Sequence, residues 1–139
     1  MRNYQYELRI PNYAFRIEKG GLLMTYDDIV TALAGAGITV KYPGAKQGVC
    51  TAPYAVVQDF GTYPYAQSTH LGYTLLQIHC YAPVGNYPAL PLLISQVKTA
   101  LAPLAADLRP TGSEGIHDIN DVFKAHTGYV EYILQKRLF

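Results

Sequence analysis

Residues 53–82, PYAVVQDFGTYPYAQSTHLGYTLLQIHCYA, contain side chains that could bind a metal or transfer a proton: His70, His79 and Cys80. His79 and Cys80 are adjacent in a run that is typical of a β-strand, so their side chains should point to opposite faces of a sheet. His70 lies in the polar segment before that strand, and none of the spacings HxH, HExxH or CxxC occurs. The pattern therefore predicts a strand histidine and a buried thiol here, without a metal site.

A second set of candidates is a pairing of His117 and Asp118, or of His126, with Cys50 or Ser113 as the nucleophile. Such a dyad requires a third group that orients the base and an oxyanion site that faces the nucleophile. Ser113 stands in TGSEG, which lacks the G-x-S-x-G elbow, and the glycine-rich phosphate motifs are absent from the sequence. We therefore expect no catalytic residue, bound cofactor or metal.

The composition favours a single globular domain that is partly covered by other protein. The chain has 139 residues, of which only 15% are charged, and 13 tyrosines but no tryptophan. Tyrosine suits strands and protein interfaces because it combines an apolar ring with one polar group. We expect an oligomer.

Several functional classes have little support in the sequence. The net charge is +1, and no basic residue lies between Lys46 and Lys98, so the aromatic segment makes a poor nucleic-acid site. No apolar run has the length of a membrane span and no leader opens the chain, so we expect synthesis in the cytoplasm and no membrane partner. Cys50 and Cys80 are predicted to be free thiols.

Two helices are predicted. Thr25 is expected to cap the first, with Asp28 at the third helical position, and Gly35 and Gly37 should end it. The second falls within 87–106, and Pro103 predicts a kink or an end near Ala102. Its apolar residues recur with a helical period and predict one buried stripe: Leu90, Leu93, Ile94, Val97, Leu101 and Leu104.

The remaining pattern predicts strands at 38–44, 53–61, 73–83 and 129–139, and 107–121 is interpreted as a loop with a short strand. Val130, Tyr132, Leu134 and Leu138 should share one side of the last strand. The resulting fold class is α+β, in the order α-β-β-β-α-(β)-β. We expect a mostly antiparallel sheet of about four strands, with two helices packed on one face.

Residues 1–23 precede this pattern and alternate partly between apolar and polar types. Two interpretations are open. They form an N-terminal arm or edge strand that lies on a neighbour, or Met24 is the true initiator and the start is misassigned. The domain itself would then be 24–139.

The order of five segments resembles that of the tail terminator, or tail completion, proteins of tailed bacteriophages and related neck proteins. In chain order these segments are MTYDDIVTALAGAG, PYAVVQDFG, GYTLLQIHCYAP, NYPALPLLISQVKTALAPL and GYVEYILQKRLF. The resemblance covers 24–138 and is one of order and length. It implies a structural virion protein, made in the host cytoplasm, which forms a homohexameric ring on the tail tube and joins it to the head connector.

Further partners follow from the resemblance: a sheath protein if the tail is contractile, and DNA only as it passes through the ring. Close alternatives are a head-closure, head–tail joining or minor tail protein. An alternative of another class is a small enzyme or ligand-binding domain that uses His79, His117 or His126.

Ring closure needs two different edges on each subunit, and the first strand or N-terminal arm and the last strand are the expected ones. The residues predicted at subunit or partner interfaces are Phe60, Tyr63, Tyr65 and His70 in the hairpin loop, Tyr129, Glu131, Lys136 and Arg137 on the last strand, and Tyr4, Tyr6 and Arg9 in the arm. Lys41, Lys46 and Lys124 are candidates for the lumen of the ring.

Overall fold

The computed structural model describes residues 24–43, 48–66 and 70–137, apart from the side chains of Asp118, Lys136 and Arg137. Within this part the chain forms two α-helices, one 3-10 turn and five strands. In chain order these are α1 (Tyr26–Gly35), β1 (Val40–Lys41), β2 (Tyr54–Pro64), β3 (Leu71–Pro83), α2 (Ala89–Leu101), the 3-10 turn Ala102–Leu104, β4 (Leu108–Asn120) and β5 (Ala125–Arg137).

Helix α1 begins at the predicted cap. The Asp28 amide donates to Thr25 Oγ1 over 3.4 Å, and the Thr25 amide donates to Asp28 Oδ2 over 2.8 Å. These two bonds satisfy amides that a helix start leaves unpaired. The helix ends at Gly35, and Gly37 follows with a φ of +84°, which glycine adopts without strain. Both ends of the predicted helix are confirmed.

Helix α2 buries the predicted stripe. Leu90, Leu93, Ile94, Val97 and Leu101 are buried, and Leu104 is half-buried in the 3-10 turn that follows. The helix ends at Leu101, because Pro103 has no amide hydrogen to continue the helical bonds. The expected end near Ala102 is confirmed.

The five described strands form one sheet in the order β1-β2-β3-β5-β4. All neighbours pair antiparallel except β1 and β2, which are parallel over two residue pairs. The fold is therefore α+β with a mostly antiparallel sheet, as expected, but the described part of the chain contains five strands where about four were predicted.

Three strand predictions need correction. Residues 108–120 form a full strand, whereas a loop with a short strand was predicted. Pro110 and the bulge at Gly112, with a φ of +92°, interrupt the alternation on which a sequence pattern depends. Strand β5 begins at Ala125, before the predicted start. The hairpin loop between β2 and β3 is shorter than predicted, because β2 continues to Pro64.

Both helices lie on one face of the sheet, as predicted. Their buried side chains meet inward residues of the strands in a single core: Ala55, Val57, Leu76, Ile78, Cys80, Ala82, Val130, Tyr132 and Leu134. Val130, Tyr132 and Leu134 thus share one side of the last strand, whereas Leu138 lies outside the described residues. A smaller buried cluster of Cys50, Tyr54, Val56 and Ala125 packs with Tyr81 and Phe123.

Strand β5 lies inside the sheet, between β3 and β4. Its backbone is hydrogen-bonded to a strand on each side. The expectation that the last strand pairs with a neighbouring subunit through a sheet edge is therefore wrong. Among the described strands, β4 and the two-residue β1 stand at the ends of the sheet instead.

Candidate interaction face

The sheet face opposite the helices carries a continuous array of aromatic rings. We call it the aromatic face and define it by Phe60, Tyr63, Tyr65, Tyr73, His79, His117 and Tyr129. The register explains the array, since residues that pair across antiparallel strands point to the same side. Tyr63 pairs with Tyr73, and His79 pairs with Tyr129. No described helix packs on this face.

Three tyrosines form one end of the aromatic face. The ring of Tyr73 lies 5.7 Å from that of Tyr63 and 5.2 Å from that of Tyr65. The Tyr63 hydroxyl donates to the Phe60 carbonyl over 3.1 Å, and the Tyr65 hydroxyl donates to Gln135 Oε1 over 3.1 Å. These bonds hold the hydroxyl groups and leave the ring of Tyr63 45% exposed.

Tyr129 lies at the centre of the aromatic face and contacts its neighbours on β3 and β4. Its ring stacks on that of His117, with centroids 5.1 Å apart and planes 13° apart, and lies 6.4 Å from the ring of His79. Its hydroxyl shares a 2.8 Å hydrogen bond with Ser113 Oγ. Burial, and secondarily the charge of His117, lowers the pKa of His79. The neutral imidazole is thus favoured at neutral pH.

Polar side chains lie beside the rings and are bonded to each other. Glu131 accepts a hydrogen bond from Gln77 Nε2 over 3.0 Å and another from Thr111 Oγ1 over 2.8 Å. This arrangement fixes the carboxylate across three neighbouring strands, β3, β5 and β4. A rigid surface with aromatic rings and a few held polar groups is typical of a protein-binding site.

Five of the residues predicted at interfaces meet on the aromatic face: Phe60, Tyr63, Tyr65, Tyr129 and Glu131. His70 is exposed just before β3. The backbones of Lys136 and Arg137 belong to β5, but their side chains are outside the described part, as are Tyr4, Tyr6 and Arg9. The sequence analysis did not predict Tyr73 or His117 at an interface. For Tyr73, the alternation with buried neighbours along β3 was the available signal.

The lumen candidates have separate positions. Lys41 Nζ lies 4.3 Å from the centroid of the Tyr54 ring, in a cation–π contact. Lys124 is exposed in the turn between β4 and β5 and has a φ of +52°. Lys46 lies outside the described residues.

The residues considered for catalysis are divided between the two sides of the sheet. His79 and Cys80 point to opposite faces, as predicted, and Cys80 is fully buried in the core. His126 pairs with the core residue Ala82, and its ring contacts Tyr87 at 5.2 Å on the helix side. Ser113 and His117 both contact Tyr129, so their side chains are engaged with that ring and its hydroxyl.

Both cysteines are free and buried, as predicted. Burial raises the pKa of Cys80 to about 12 and also raises that of Cys50, whose Sγ donates to the Ala52 carbonyl over 3.3 Å. Raised pKa values leave both sulfurs protonated, which is unfavourable for nucleophilic chemistry. Among the described residues, no three His, Cys, Asp or Glu side chains are grouped as metal ligands.

In the described part of the chain, none of the helices has the length and apolar character needed to cross a bilayer. Comparison with known proteins found no protein family that matches the chain and no relative among curated proteins.

Proposed function

We propose that this protein is a structural assembly subunit, and specifically a tail terminator that forms a ring at the end of a phage tail tube. The main observation that supports this proposal is the aromatic face. It presents partly exposed rings on the sheet, and the polar groups of Tyr65, Tyr129 and Glu131 are hydrogen-bonded within the chain. Another protein that covers these three groups would therefore not leave them unpaired.

The fold supplies a second requirement of a ring, namely two different surfaces on each subunit. Strand β4 stands at one end of the described sheet, and β1 with α1 stands at the other. A head-to-tail contact joins unlike surfaces, and these two ends are unlike in length and composition. The resemblance in element order to tail terminator proteins supports a location of this ring in a phage neck.

Native mass spectrometry of the full chain tests the proposal. The expected particle has a mass near six times 15.4 kDa. With purified tail tubes, electron microscopy should show a ring at one tube end, and added subunit should stop tube growth. Only monomer at micromolar concentration, both alone and with tubes, would contradict the proposal.

A matched pair of variants assigns the contact surface. Tyr73→Asp places a charge among the rings of the aromatic face, whereas Leu92→Asp places one at a 59% exposed position of α2. We expect Tyr73→Asp to reduce ring formation or tube binding and Leu92→Asp to preserve both. Folding of both variants is checked by circular dichroism. If the two variants assemble equally well, the aromatic face is not the contact surface.

A further inference from the structure

A cavity of about 300 Å³ lies on the helix side of the sheet, where the end of α2 meets β4 and β5. Its walls are mostly apolar, and several of the side chains that line it also belong to the main core: Leu101, Leu108, Val130 and Tyr132. Small-molecule sites in proteins are concave and mostly apolar, with a few placed polar groups and volumes from about 300 Å³ upward. The cavity therefore has the size and the lining of such a site.

A bulge in β4 explains why this space is open. Residues 111–113 stand opposite a single residue of β5, and Gly112 lies in this bulge with a φ of +92°. The hydroxyl groups of Thr111 and Ser113 bond to side chains on the opposite face of the sheet, and Gly112 has no side chain. The bulge therefore directs no side chain into the space beside α2.

One pair of opposite charges borders the cavity. Lys98 Nζ on α2 donates to Glu114 Oε1 on β4 over 2.9 Å, and both residues line the cavity. Their side chains are about half exposed, so a ligand can reach them, and an exposed pair of this kind is weak. The pair uses one ammonium donor and one carboxylate oxygen. Both groups therefore have the capacity to form further hydrogen bonds.

Two other polar side chains of the lining are neutral or already bonded. Burial, and secondarily the charge of Glu114, raises the pKa of Tyr132 to about 12, so its hydroxyl is neutral. Glu131 accepts hydrogen bonds on both carboxylate oxygens, from side chains of β3 and β4. Within the described lining, Lys98 and Glu114 are therefore the charged groups that a ligand can engage.

An α-amino acid with an apolar side chain complements this lining. Its ammonium and carboxylate are attached to one carbon, so they are neighbouring opposite charges, as are Lys98 and Glu114. The ligand can exchange the single bond of the ion pair for charge-assisted hydrogen bonds to each group. Its side chain would displace water from the apolar wall. A ligand with only one charge would satisfy one of the two residues and meet the like charge of the other.

We propose that this cavity binds a free α-amino acid with an apolar side chain. The carboxylate of the ligand bonds to Lys98, its ammonium bonds to Glu114, and its side chain lies against Leu101, Leu108 and Val130. The site lies on the helix side of the sheet, opposite the aromatic face. It goes beyond the proposed function and does not require a ring.

Isothermal titration calorimetry of the full chain with L-leucine tests the site. Three analogues separate the features of the ligand: isopentylamine lacks the carboxylate, isocaproate lacks the ammonium, and L-serine lacks the apolar side chain. We expect saturable binding of L-leucine and at least about tenfold weaker binding of each analogue, because each loses one set of contacts. Absence of saturable L-leucine binding in the millimolar range would overturn the inference. An analogue that binds as tightly as L-leucine would also overturn it.

Two variants assign the charged contacts. In Lys98→Met, L-leucine and isopentylamine should bind alike, since the carboxylate of L-leucine has lost its partner. In Glu114→Gln, L-leucine and isocaproate should bind alike for the same reason. Lys124→Met removes an exposed lysine between β4 and β5 and should keep the wild-type affinities. If Lys98→Met or Glu114→Gln keeps the wild-type preference for L-leucine, with native circular dichroism, the ion pair is not part of the site.

Nuclear magnetic resonance locates the ligand without a substitution. Amide signals of residues 98–105 and 108–114 should shift on addition of L-leucine, because these segments border the cavity. Shifts confined to the aromatic face would overturn the inference. The outcomes for the two proposals are separable: a ring that forms in a protein without L-leucine binding contradicts this inference alone. Binding of L-leucine to a chain that stays monomeric with tubes contradicts the ring alone.

Discussion

Lys98 on α2 donates to Glu114 on β4 over 2.9 Å, and this ion pair bridges the helix and the edge strand, where both residues line two surface cavities. Both side chains are about half exposed, at 49% and 45%. Water therefore screens their attraction, and exposed pairs of this kind contribute about 0–1 kcal/mol. The pair should therefore contribute little to the stability of the fold.

This relationship predicts a small effect for Lys98→Met, which removes the charge and keeps an extended apolar side chain. The free energy of unfolding in urea should change by less than about 1 kcal/mol. Glu114→Gln is the matched variant from the other side and should behave alike. A loss above about 2 kcal/mol in either variant would show that the pair is a structural support of β4.

A second prediction contrasts two leucines on the same helix. Leu90 is fully buried in the core and Leu92 is 59% exposed. Leu90→Ala should lower the free energy of unfolding by about 2–5 kcal/mol, since it removes buried methyl groups and leaves a cavity. Leu92→Ala should change it by less than about 0.5 kcal/mol. Similar losses in urea denaturation would mean that α2 packs through a different face.

The contrast between α2 and β4 explains how much of the fold could be predicted. The stripe from Leu90 to Leu101 repeats locally, and the Thr25 cap depends on residues three positions apart, so both were correct from sequence. Strand β4 depends on pairing with β5 across a bulge at Gly112, and no local pattern reveals that pairing. The central position of β5 likewise follows from long-range strand order.

The composition of the aromatic face could also be predicted only in part, because it depends on long-range strand pairing. Phe60, Tyr63 and Tyr65 were predicted at an interface because they are close in sequence and rich in aromatic character. Their meeting with Tyr129 on one surface depends on the β2–β3 and β3–β5 registers. A one-residue shift of either register would send half of these rings to the core side.

A third prediction concerns two tyrosine hydroxyl groups. The hydroxyl of Tyr54 is buried and has no hydrogen-bond partner among the described residues, whereas that of Tyr26 donates to the Val57 carbonyl. Burial raises the pKa of Tyr54 to about 12, so the hydroxyl is neutral at any ordinary pH. An unpaired buried polar group costs about 1–3 kcal/mol, and a satisfied one contributes about 0.5–1.5 kcal/mol.

Tyr54→Phe should therefore leave the free energy of unfolding unchanged or raise it, and Tyr26→Phe should lower it by about 1 kcal/mol. Thermal or urea unfolding of the two variants beside the wild type is the measurement. The explanation fails if Tyr54→Phe is the more destabilising of the two. Each variant serves as the control for the other, because both delete a single hydroxyl group from a tyrosine.

A fourth prediction follows from His79, whose pKa is lowered by burial and by His117. Above the unfolded pKa of about 6.5, both states hold a neutral imidazole and the group has no effect on stability. As the pH falls through 6.5 toward the lower folded pKa, the unfolded chain takes up the proton first. The free energy of unfolding must therefore decrease on acidification in this window.

His79→Gln removes this titration and keeps a polar side chain among Phe60, His117 and Tyr129. We expect the loss of stability between pH 7 and pH 5 to be smaller in the variant than in the wild type, as measured by urea unfolding at both pH values. Nuclear magnetic resonance titration of the wild type should place the His79 pKa below 6.5. A His79 pKa above 6.5, or an identical pH dependence in the variant, would show that the imidazole is solvated and that the rings of the aromatic face are not packed around it.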